Sequence, residues 1–149
     1  MVFFFVALVG IILVFTIVIK YVGNRRINEV KDKLKKDELI YIGQANFLGI
    51  LSKGKQQKSG NGVLALTDRR LFFKSWYPGN EYEFKLEDIE RIEQVNKFLG
   101  KAKLKLLLKV SYITESKESD SAAWLVGDIN KWTEKLNEML DDNKILQKE

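Results

Sequence analysis

The spacing of apolar side chains divides the chain into three regimes. Residues 2–19 form an unbroken apolar run in which Thr16 is the one polar side chain. As a helix rising 1.5 Å per residue, the run spans about 27 Å, close to the ~30 Å hydrocarbon thickness of a bilayer. Phe3, Phe4, Phe5, Leu8, Ile11, Ile12, Phe15 and Ile19 leave it no polar side, whereas a soluble helix keeps one. The pattern predicts one membrane-spanning helix over residues 1–22. A cleavable signal peptide is the competing expectation. Against it, no positive charge precedes the apolar run, and Lys20, Arg25 and Arg26 follow it in place of a small-residue cleavage site.

The second regime, residues 23–37, is a charged stalk. Ile27, Val30 and Leu34 draw a narrow apolar line along it. Two readings are open: a continuation of the first helix, with Gly23-Asn24 as a break, or a solvated tether whose apolar line touches the domain or lipid headgroups. The second is preferred. The line is too short to predict a coiled coil.

From Glu38 the period changes to two. Strands are predicted over 39–51, 63–67, 70–76 and 82–86. A polar loop over 52–61 and turns at Asp68-Arg69 and 77–80 separate them. Residues 87–98 read either as a short helix, with Ile89, Ile92, Val95 and Phe98 three apart, or as a fifth strand. Residues 103–110 alternate cleanly. Leu104, Leu106, Leu108 and Val110 are expected inward, with Lys103, Lys105 and Lys109 outward. A seventh strand over 120–126 would turn Ala122, Trp124 and Val126 inward. Asp128 then caps an amphipathic helix whose apolar face is Ile129, Trp132, Leu136, Met139 and Leu140. A longer helix starting near Ser119 is the alternative. The expected domain covers 38–142, with a polar tail over 143–149. Seven antiparallel strands and one covering helix make the fold class mainly β.

Charge adds an orientation. Lys20, Arg25, Arg26, Lys31, Lys33, Lys35 and Lys36 stand against only Glu29 and Asp32, a net of +5, while the rest of the chain is neutral. Basic residues flanking a span stay on the cytoplasmic side. The prediction is a single-pass protein of the cell membrane, with its N-terminus outside and its domain in the cytoplasm. The same seven residues are candidate contacts to anionic phospholipid headgroups. The neutral domain argues against nucleic acid as a partner.

Absent residue types remove whole classes of chemistry. With no Cys and no His, there are no disulfides, zinc–thiolate sites, cysteine nucleophiles or imidazole bases. No phosphate-cradling glycine motif occurs, because Gly54, Gly60 and Gly62 lack the Lys-Ser/Thr that would follow. No catalytic residue, metal site or cofactor is expected. The chain reads as non-enzymatic.

The stretch Gly62-Val63-Leu64-Ala65-Leu66-Thr67-Asp68-Arg69-Arg70-Leu71-Phe72-Phe73 resembles the Leu-Thr-x-x-Arg-Leu-x-Phe pattern of GRAM and bacterial pleckstrin-homology-like domains. Residues 84–92 and the pair Trp124 and Trp132 are similar to later parts of that pattern. The resemblance implies a seven-stranded, partly open barrel capped by a C-terminal helix. Leu66, Thr67, Arg70, Leu71, Phe73, Trp124 and Trp132 would be its structural residues. It also implies a binding or adaptor role, for a protein partner or for phospholipid. Lys53, Lys55 and Lys58 occupy the loop that grips phosphates in lipid-binding members. Val63-Leu64-Ala65 carries no further basic residue, so the expectation there is attraction to anionic headgroups without selection of one. Recruitment of a protein at the inner membrane face is the favoured function.

Overall fold

The computed structural model describes residues 2–146. Helix α1, Val2–Lys33, runs without a break through Gly23-Asn24. Its residues from Phe4 to Val22 are all exposed. Only its last turns meet the domain, where Val30 and Leu34 are buried against Val63, Ala65 and Phe72, with Ile27, Leu39 and Ile42 alongside. The apolar line of the stalk is therefore a docking seam.

The strands follow in chain order: β1 Leu39–Ile50, β2 Gly60–Thr67, β3 Arg70–Ser75, β4 Glu81–Lys85, β5 Ile89–Phe98, β6 Lys101–Ile113 and β7 Ser119–Val126. Helix α2, Ile129–Leu146, ends the described chain. All pairings are antiparallel, in the order β4-β3-β2-β1-β7-β6-β5. The first and last strands of this row, β4 and β5, do not pair, so the barrel stays partly open. Strand β1 belongs to both halves. A register shift between Phe47 and Gly49, with φ of 138° at Gly49, bends it from β2 toward β7.

Residues 87–98 are resolved in favour of the strand. A short 3₁₀ turn, Leu86–Asp88, leads into β5, whose pairing with β6 shifts register between Ile89 and Arg91 and between Val95 and Lys97, so the threefold spacing belongs to an irregular strand and not to a helix. The late start of α2 also holds, because Lys131 N–H donates to Asp128 Oδ1 at 3.1 Å. The helix then continues past residue 142 to Leu146. Of the expected polar tail, residues 147–149 lie outside the described residues.

The core lies inside the bend. Trp124 stands at its centre, with Phe84 edge-on at 5.5 Å and Phe47 at 5.6 Å. Helix α2 closes one side with Trp132, Leu136 and Leu140, and Trp132 meets Tyr41 edge-on at 4.6 Å. Leu66, Thr67, Leu71, Phe73, Trp124 and Trp132 are all buried.

One expectation about β6 is corrected. Leu108 and Val110 are buried, but Leu104 is fully exposed and Leu106 nearly half exposed. The alternation predicts one continuous ladder, yet Val95 pairs with Leu107 while Lys97 pairs with Ala102. Residues 103–106 face a single residue of β5 and pair with nothing on β7. The hairpin bulges, and its leucines leave the core face. The lysine row divides at the same place. Lys109 is half buried and bonded to Glu93 at 3.0 Å, whereas Lys103 and Lys105 stand in solvent.

Candidate functional site

Three regions of the domain carry the candidate residues. The first is the turn joining β2 and β3. Thr67 Oγ1 accepts from the N–H groups of Arg69 and Arg70 and donates to Arg70 O, which closes the turn. Asp68 Oδ1 accepts from Glu38 N–H at 3.0 Å, clamping the start of β1. Arg70, placed by this turn, donates from Nε to Asp37 at 2.7 Å and from Nη1 to Glu83 at 2.6 Å. The hydrogen bond to Glu83 and the two carboxylates raise its pKa further, against the opposing effect of burial. Of the two structural roles the sequence leaves open for it, a salt bridge at a buried edge or a hydrogen bond to a turn carbonyl, the geometry shows the first. The partners Asp37 and Glu83 were not legible, because nothing local distinguishes them from neighbouring acids.

Arg70 also lines a hollow of about 500 Å³ with Asp37, Arg69, Glu83, Lys85, Glu87 and Asn143. A second hollow, about 360 Å³, adjoins it and shares Glu83 and Lys85; Tyr112, Ile113 and Thr114 form its other wall. Together they follow the unpaired edge of β4, where the barrel is open. The lining mixes charges of both signs.

The second region is the loop between β1 and β2. Its frame is polar: Gln57 bridges to Ile50 N–H and to the carbonyls of Ile50 and Gly54. The buried Asp120 accepts from Ser52 N–H at 3.0 Å and from the Ser52 hydroxyl at 2.5 Å. Burial, with Asp120 adding to it, pushes the Tyr112 phenol well above its ordinary pKa. The three lysines differ in their neighbours. Lys53 Nζ stands 5.3 Å over the Tyr82 ring, and Lys55 reaches Gly100 in the β5–β6 turn. Lys58 lies near Tyr77 and Pro78 of the β3–β4 connection. The Asp120 carboxylate at the base of the loop disfavours an anion at that point.

The third region is the basic flank of α1. Arg25 and Arg26 pair with Glu29 at 3.6 and 3.2 Å. Lys33 pairs with Glu81 and stands 5.4 Å from the Phe72 ring centroid. Lys20, Lys31, Lys35 and Lys36 are exposed and pair with no described residue. Among the described residues, no cluster of three or more acidic groups could hold a metal ion.

No family model matches this sequence, and no curated protein does. Solved structures do match. The domain is similar to the C-terminal domain of an unknown protein from Leishmania infantum, with a TM-score of 0.56, 12% identity, and coverage of 75% of this chain and 92% of that one. It is similar to the Vps36 N-terminal PH domain, with a TM-score of 0.56, 16% identity, and coverage of 74% and 84%. It is also similar to a chain in the complex of PDZ-RhoGEF DH/PH domains with activated RhoA, with a TM-score of 0.51 and 14% identity, covering 72% of this chain and 30% of that one. The fold is therefore pleckstrin-homology-like: mainly β, seven-stranded and partly open, capped by a C-terminal helix. The domain follows an N-terminal helix that is long and apolar enough to cross a membrane, the one such helix among the described residues.

Proposed function

We propose that the chain is a single-pass, membrane-anchored adaptor that recruits a protein partner at the cytoplasmic membrane face. The anchor covers residues 1–22, the basic stalk 23–37, and the domain begins at residue 38. The likeness of the stretch from Leu66 to Phe73 to the GRAM pattern supports reading the domain as one of that type. The observation that carries this reading is the seam between α1 and the barrel, where Val30 and Leu34 are 1% and 2% exposed. A flexible tether would let the domain tumble. A packed seam fixes which faces point along the membrane and into the cytoplasm. The net +5 of residues 20–36 supports the orientation.

The unpaired edge of β4, bordered by the two charged hollows, is the surface offered to the partner. An extended segment can add to such an edge by main-chain hydrogen bonds. The test places a photocrosslinking residue at Lys85 or at Glu134 in the full chain in its own membranes. A discrete protein adduct from position 85 and none from 134 is expected; no adduct from either contradicts recruitment at this edge.

Weak contact with anionic phospholipid through Lys53, Lys55 and Lys58 is the second reading, supported by their exposure and by their lack of ion pairs among the described residues. An anchored domain needs little affinity for lipid, because tethering raises the effective concentration. Lipid contact that weakens with salt, and falls when the three lysines become Gln, would distinguish it.

A further inference from the structure

The outward row of β1 runs under two elements, α1 and the β5–β6 hairpin. Ile42 lies under α1 with Val30 and Leu34. Gln44 comes so close to Gly23 that an added Cβ would sit 2.5 Å from its amide nitrogen. Leu48, further along the row, lies under the β5–β6 hairpin in a second apolar cluster with Phe98, Leu107 and Ala123. Lys105 of the same hairpin lines a hollow of about 300 Å³ with Gln44 and Asn46.

These contacts fix levels along the helix. Leu34 packs in the cluster that includes Leu39, and Gly23 meets Gln44. The first pair is separated from the second by about 16 Å along the helix and about 16 Å along the strand. Helix α1 therefore runs antiparallel beside β1. Ile19, the end of the apolar run, lies about 6 Å beyond Gly23. Asn46 lies about 7 Å beyond Gln44, and Leu48 about 13 Å. The hairpin that folds over Leu48 is thus level with the end of the apolar helix, or beyond it.

The hairpin carries at this level what an anionic bilayer surface takes. Leu104 and Leu106 are exposed, and Lys101, Lys103 and Lys105 alternate with them in solvent. Lys55 adds a fourth ammonium through its approach to Gly100. The bulge frees this stretch from the ladder, and Phe98 and Leu107 hold its base on the barrel. Short apolar side chains among long basic ones suit the boundary between headgroups and acyl chains, where lysine stems lie along the surface and their ammonium groups meet phosphates.

We infer that the β5–β6 hairpin is a membrane foot, with Leu104 and Leu106 inserted among the lipids of the leaflet that α1 leaves and Lys101, Lys103 and Lys105 on anionic headgroups. The inference rests on the membrane-anchored reading above. It assigns the second point of attachment to residues outside the β1–β2 loop. Two attachment points prevent the domain from rotating about its helix.

Because the chain has no cysteine, Leu104→Cys gives a single site for an environment-sensitive fluorophore. Glu115→Cys, past the other end of β6, gives the reference. Each full-length variant is reconstituted into phosphatidylcholine–phosphatidylglycerol vesicles containing nitroxide-bearing lipid. Quenching at position 104 is expected to exceed that at 115 by roughly threefold or more. Replacing Lys101, Lys103 and Lys105 with Gln is expected to lower the quenching at 104 by about half. Equal quenching at the two positions in protein that floats with the vesicles overturns the foot and leaves the anchor standing. Protein that fails to float overturns both.

Discussion

Arg70 Nε donates to Asp37 Oδ2 across 2.7 Å, and the Asp37 side chain is only 5% exposed. Asp37 lies where the chain leaves α1 and turns into β1, while Arg70 begins β3. The other arm of the guanidinium holds Glu83 of β4. One side chain therefore joins the end of the apolar helix to the open edge of the barrel.

Removing that side chain leaves Asp37 with a nearly buried, unpaired carboxylate. Arg70→Met is expected to cost about 2–3 kcal/mol, more than a surface pair would, because the stranded charge is desolvated. Asp37→Asn costs less, since Arg70 keeps Glu83 and remains partly solvated. Denaturant unfolding of the full chain in micelles, run as a double-mutant cycle, checks both. Additive single effects would show that the two residues do not act as a pair.

The seam between α1 and the barrel depends on two side chains. Leu34→Ala is expected to cost about 2–4 kcal/mol, the usual range for emptying a buried leucine site. The loss should fall on docking more than on the barrel, whose larger core is separate. Trypsin cleavage after Lys35 and Lys36 then accelerates, while the fluorescence of the buried Trp124 keeps its native maximum. Cleavage at the wild-type rate contradicts a packed seam.

Acid should loosen the same region. The hydrogen bond from Lys33 holds Glu81 below the ordinary carboxylate value of 4.5, helped by the charges of Lys33 and Lys74 and opposed by burial. A lowered folded-state pKa contributes stability that is complete above the unfolded value and is lost as pH falls through the folded one. Glu93, held low first by its hydrogen bond from Lys109, acts with the same sign. Glu81 is about a third exposed, so solvent limits its pair to under ~1 kcal/mol. Glu81→Gln should flatten the stability profile below pH 4.5 and lower the plateau slightly. An unchanged acid limb in urea titrations contradicts the pairing.

Much of this fold can be read from residue patterns, because periodicity reports burial wherever one ladder is continuous. The strands around Thr67 and Trp124 and the helix capped by Asp128 are such cases. Periodicity failed at Leu104 and Leu106, since a bulge is set by the partner strand and leaves no mark on the strand that carries it. The candidate site was less legible. Arg70 was visible through its motif, but Asp37, Glu83 and Asp120 became partners only when distant strands met. Val30 and Leu34 were legible as an apolar line, though the surface they cover was not.

Gly62 is buried for a steric reason. A Cβ there would lie 2.3 Å from the Lys74 carbonyl and 2.5 Å from the Phe73 ring. The obstacle is backbone, so the β2–β3 pair must separate to admit it. Gly62→Ala is expected to destabilise the domain by about 1–3 kcal/mol, the range for overpacking. Thermal unfolding checks it, and a variant as stable as wild type contradicts the close approach.

The central claim is a membrane anchor that holds the domain on the cytoplasmic side. Its most direct measurement is labelling of Glu115→Cys, exposed on the domain, by a membrane-impermeant maleimide in intact cells and again after lysis. The account predicts no labelling until the cells are opened, with the protein retained in the membrane fraction after alkaline washing. Labelling of intact cells, or release of the protein by the wash, would contradict it.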